Sequence, residues 1–165
     1  MLDDHEMPLT RPKRSCPRLA SACLASLALA ACGGSSHPPS EQSATQIKQV
    51  ARSYLSAQAA GDGEAACALL TPAAQTKLES LVVSLSNGLV KTRPSCADAV
   101  RLVSTVAGRT LMNQLSKAQV EHIRVNGNQA TAQVVVGGGQ VPPQQVTLER
   151  VRDTWQISGI PTLGQ

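Results

Sequence analysis

An α+β fold, with N-terminal helices packed on an antiparallel sheet of about four strands, is what this sequence predicts. Between residues 43 and 117 apolar residues recur mostly at helical spacing, and from Gln119 onward the period drops to two. Asn126-Gly127 stands between two alternating runs, the strongest short hairpin signal a sequence offers. Helices first and strands afterwards argue for helices laid on one face of an antiparallel sheet.

The elements follow in order. Ser43-Ala44-Thr45-Gln46 has the spacing of a capping box, and Ile47, Val50, Ala51, Tyr54, Leu55 and Gln58 continue it as one helix face. Gly61 and Gly63 end that helix. Ala65 to Leu70 reads as a short helical segment carrying Cys67. Thr71-Pro72 is an N-cap followed by a first-turn proline, and Leu78, Leu81, Val82 and Leu85 form the buried stripe of the next helix, closed by Asn87-Gly88. Ser95, with Asp98 three residues on, starts a further helix whose Ala99, Val100, Val103 and Val106 face inward as far as Gly108. Arg109 to Lys117 adds one or two helical turns. Val120 to Val125 and Gln129 to Val136 are paired strands, the second presenting Ala130, Ala132, Val134 and Val136 to one side. A long loop from Gly137 to Pro143 leads to Gln144–Arg152 and Trp155–Ile160, a second hairpin around Asp153-Thr154.

Ahead of this domain lies a leader. Arg11, Lys13, Arg14 and Arg18 form a basic region, and Leu19 to Ala31 is a run of thirteen uncharged residues. A spanning helix needs about 20 apolar residues, so the run is too short to be a permanent anchor. It ends in Leu29-Ala30-Ala31-Cys32, which looks like a bacterial lipobox. Cleavage is expected between Ala31 and Cys32, with Cys32 taking a diacylglycerol thioether and a further acyl chain such as palmitate. Two or more chains anchor stably where one does not. Residues 1–31 are then a signal peptide, 32–42 the lipidated cysteine and a Gly/Ser/Pro-rich tether, and 43–165 the folded domain. Asp3, Asp4 and Glu6 put acid where such a leader is basic, and starting at Met7 removes them, so Met7 is the expected start.

Cleavage changes the composition that matters. The mature chain keeps 11 basic and 8 acidic residues, a formal net charge of +3. Without a basic stripe, and with almost no aromatic residues, nothing supports nucleic-acid binding. Cys16 and Cys23 leave with the leader and Cys32 is acylated, so Cys67 and Cys96 remain as a pair. Outside the cytoplasm such a pair forms a disulfide more readily than a metal site. Zinc wants four ligands, and only His37 and His122 remain to join them; no metal and no cofactor is expected.

The order of elements resembles the nuclear transport factor two-like (cystatin-like α+β cone) superfamily, particularly small actinobacterial lipoproteins. The matching strings are Val50-Ala51-Arg52-Ser53-Tyr54-Leu55, Ala60-Gly61-Asp62 and Ala66-Cys67-Ala68-Leu69-Leu70. Towards the C-terminus they are Val125 to Ala130, then Leu148-Glu149-Arg150 running into Trp155-Gln156-Ile157-Ser158-Gly159-Ile160. The resemblance implies a curved sheet wrapped by helices around a conical pocket, a scaffold that hosts both enzymes and binding modules.

Such enzymes place a carboxylate or His inside the cone, and His122 is the only His of the folded domain. Strand alternation sends Glu121 and His122 to opposite faces, which disfavours them as a dyad. Gly137-Gly138-Gly139 lacks the following helix and Lys-Ser/Thr of a phosphate loop. The expectation is therefore a lipid-anchored, extracytoplasmic module in the cell envelope, without catalytic residues, that binds an envelope protein or a small apolar ligand. The alternative is a small cone-fold enzyme or hydrophobic-ligand carrier using a pocket near Tyr54, His122 and Trp155.

Overall fold

The computed structural model describes residues 40–137 and 141–160. The leader, the Met7 start, Cys32 with its cleavage site and most of the tether lie outside the described residues. Within them the chain is α+β, four helices followed by a four-stranded antiparallel sheet.

Helix α1 spans Glu41–Ala60. It begins earlier than the capping box suggested. Ser40 is the N-cap, its hydroxyl oxygen accepting from the backbone N–H of Ser43 at 3.3 Å, and Ser43 lies inside the first turn. Gly61 closes the helix in the left-handed region at φ 71°, where a side chain is strained. Gly63 does not terminate α1. It opens α2 (Gly63–Ala68), capped by the Asp62 carboxylate, which accepts from the Ala65 N–H at 3.0 Å.

Thr71 caps α3 (Pro72–Leu85) with Pro72 in the first turn, as the sequence predicts. Ala74, Leu78 and Val82 form its buried face. Leu85 falls on that same face by helical rotation, yet it is 70% exposed: the buried face ends at Val82, one turn earlier. Ser95 caps α4 (Cys96–Leu115), its oxygen accepting from the Asp98 N–H while its own O–H donates to the Asp98 carboxylate at 2.6 Å. That hydrogen bond, with help from the Arg101 guanidinium, holds the Asp98 carboxyl below its ordinary pKa. Gly108 does not end α4 but kinks it, at φ 76° and ψ 162°, and the helix resumes to Leu115. Val106, just before the kink, is 80% exposed rather than inward-facing.

The strands are β1 (Gln119–Asn126), β2 (Gln129–Val135), β3 (Gln144–Val151) and β4 (Thr154–Gly159), hydrogen-bonded in chain order. The first hairpin turns on Gly127 and Asn128, with Asn126 paired to Gln129. The second turns on Arg152 and Asp153. Ala130, Ala132, Val134, Val146, Leu148, Trp155 and Ile157 are buried on the inner face, while Gln129, Gln133, Gln145 and Glu149 stand exposed on the other. The inner face joins Ile47, Ala51, Tyr54 and Leu55 of α1 in a single apolar core. Each large aliphatic side chain fully buried there contributes about 1.5–3 kcal/mol.

Two devices close the sheet's edges. Leu69 and Thr71 pair with β4 in parallel: the Ile157 N–H donates to the Leu69 carbonyl at 2.8 Å, and the Thr71 N–H to the Ile157 carbonyl at 2.9 Å. This ties the helical layer to the sheet through backbone as well as packing. The opposite edge, β1, carries a bulge at His122-Ile123, where two residues face one on β2 and His122 takes φ 49°. A bulge among charged side chains discourages pairing with another chain.

Candidate functional site

Cys67 and Cys96 are bonded, as the cysteine arithmetic predicts, with their α-carbons 6.1 Å apart. The bridge joins α2 to the first turn of α4, clipping the helical layer together.

Tyr54, His122 and Trp155 do not gather around a common cavity. Tyr54 is 1% exposed, deep between α1 and the sheet, and burial pushes its phenol up to about 12. Its hydroxyl finds no hydrogen-bond partner among the described residues. Trp155 is likewise core, 4% exposed, with its indole N–H unpartnered and the Arg150 guanidinium 5.6 Å from the ring centroid.

His122 stands elsewhere, on the exposed β1 bulge. Strict alternation fails there: the bulge brings His122 Nδ1 to 4.0 Å from a Glu121 carboxylate oxygen. Both side chains are largely in solvent, so they form a surface contact without a pocket to act on. Among the described residues, no group of three or more His, Cys, Asp and Glu side chains is placed to hold a metal ion.

Among the described residues, surface grooves flank α1 instead, three of which are well formed. One, of about 270 Å³, runs between the middle of α1 (Gln46, Gln49, Val50, Ser53) and the β3–β4 turn, with Trp155 as a wall. A second, of about 640 Å³, lies where the end of α1 meets the kink of α4, beside Arg101, Arg109 and Met112. The third, of about 410 Å³, sits at the seam between α1 and the start of β1. Arg52, Leu55 and Ser56 form one bank, and residues 115–119 the other.

Sequence reading did not single out this third groove. Its cations, Arg52 and Lys117, are 65 positions apart in the chain. The one signal for it was the like-charged pair Lys48 and Arg52, four apart on a helix, a spacing that costs stability unless something offsets it.

No protein-family model, no curated protein and no solved structure matches this chain.

Proposed function

We propose that this protein is a lipoprotein, held by a lipidated Cys32 on the outer side of the cytoplasmic membrane, where its α+β domain acts by binding. The observation that carries this reading is Leu29-Ala30-Ala31-Cys32 at the end of a basic-then-apolar leader. The Cys67–Cys96 bridge supports it, since such bonds persist in oxidising compartments and are rare in reducing ones.

Binding rather than catalysis is favoured because the candidate acid–base residue is spent on an exposed bulge and Tyr54 on the core, apart from the groove that Trp155 walls. The helices-then-sheet order agrees with a cystatin-like cone. In this chain, however, the sheet's inner face is filled by Ala, Val, Leu, Ile and Trp, so recognition falls to the outside of the domain and to the grooves along α1.

Detergent-phase partitioning of the protein expressed in a bacterial host tests the anchor. The wild-type chain enters the detergent phase, and Cys32→Ser stays in the aqueous phase or accumulates as uncleaved precursor. Equal partitioning of mature wild type and variant would remove the basis for a lipid anchor.

A further inference from the structure

We infer that the α1–β1 groove is a docking site for the phosphate of an anionic phospholipid headgroup, so that α1 lies along the membrane that carries the anchor. The orientation rests on the lipidation proposed above; the site itself rests on the groove.

Arg52 lies on one bank of the groove and Lys117 on the other, and Ser56 and Gln119 add a hydroxyl and an amide donor, while the Ser116 hydroxyl donates to the Asn113 carbonyl. Leu55, Leu115 and Ala118 supply an apolar floor, and no carboxylate lines it. Lys48 lies one turn from Arg52 on the same side of α1. Among the described residues, none of these three cations pairs with a carboxylate within 4.0 Å. The only acid in α1 is Glu41, almost two turns from Lys48, and Glu121 on β1 is turned towards His122. An arginine, a lysine and neutral donors converging on an apolar floor match a phosphodiester attached to glycerol and acyl chains.

Chain length places such a surface within reach. Helix α1 is capped at Ser40, so eight residues of chain separate its start from Cys32, spanning at most about 28 Å. From Ser40 to Arg52 the helix advances about 18 Å. A domain held so closely can lay α1 flat on the bilayer, with Lys48, Arg52 and Lys117 among the headgroups. Each cation near an anionic leaflet strengthens attachment about fivefold.

The test uses the full chain pelleted with vesicles of phosphatidylcholine, or of phosphatidylcholine mixed with phosphatidylglycerol. Amine-acylation rates at Lys117, which lines the groove, and at Lys48, one turn from Arg52, are read by mass spectrometry against Lys77 on α3 and Lys91 in the loop after it. With phosphatidylglycerol, Lys48 and Lys117 should label at least about fivefold more slowly than in neutral vesicles, while Lys77 and Lys91 are unchanged. In the Arg52→Gln/Lys117→Gln chain, the protection of Lys48 should disappear without a change in thermal midpoint. Equal labelling in the two vesicle types, or failure to pellet with the anionic ones, overturns the site. Equal protection by soluble glycerol phosphate in neutral vesicles overturns the membrane as its ligand. A chain that pellets only with anionic vesicles, yet shows the protection, would retain the groove and refute the lipid anchor.

Discussion

Gly63, the first residue of α2, lies so close to Ala97 in the first turn of α4 that a β-carbon added to it would overlap the Ala97 carbonyl. The contact is backbone against backbone, so no side chain can swing aside to relieve it. Gly63→Ala should therefore destabilise the domain by about 2–3 kcal/mol, as overpacking against a rigid neighbour does. Equilibrium unfolding in urea measures this as a lower midpoint.

The same two helices are joined covalently by Cys67–Cys96, residues 29 apart. Closing a loop of that size in the unfolded chain is worth about 3–4 kcal/mol in the chain-entropy account. A Cys67→Ala/Cys96→Ala chain should be less stable than oxidised wild type by that margin and unfold at a lower temperature. Reductant should lower the wild-type midpoint and leave the variant's unchanged, and calorimetry with and without it checks both.

Tyr54 gives the domain an alkaline limit. Its folded pKa, near 12, lies above the ordinary 10, so between these values the folded state holds a proton the unfolded state has lost. Stability is complete below pH 10 and falls as the pH rises towards 12, by about 3 kcal/mol in all. Tyr54→Phe removes both the titration and a buried hydroxyl without a partner among the described residues. The variant should be no less stable at neutral pH and should lose that alkaline decline, which denaturant midpoints across the pH range will show.

His122 is one of the few non-glycine residues with positive φ, a conformation that costs an L-residue roughly 1–2 kcal/mol. If its place on the bulge is structural, His122→Gly should be neutral or stabilising by up to about 1 kcal/mol. His122→Val, β-branched at the same φ, should be destabilising by about 1–2 kcal/mol. Thermal melts of the two variants should move in opposite directions, or only the valine chain should move.

Helix caps were readable in the chain at Thr71-Pro72 and at Ser95 with Asp98, but not at α1, where Ser40 rather than Ser43 is the cap. The strand alternation of Ala130, Ala132 and Val134 likewise reported its buried face correctly. What escaped were features set by the partner surface rather than the local pattern. Leu85 has the right helical phase but lies one turn beyond the last buried residue of α3; Gly63 looked like a stop and is a point of close approach. The His122 bulge depends on how β1 registers with β2, which the residues of β1 alone do not encode. Tyr54 and Trp155 were legible as large apolar groups, but whether they wall a cavity or fill a core depends on how α1 seats against the sheet. The cations of the α1–β1 groove meet only after folding brings Lys117 beside Arg52.

The most direct test of the central claim is mass spectrometry of the mature protein from the membranes of a bacterial host, read at its first tryptic peptide. The account predicts a peptide beginning at Cys32 and ending at Lys48, carrying a diacylglyceryl thioether and an N-terminal acyl chain. An unmodified Cys32, or a mature chain retaining residues upstream of it, would contradict the account.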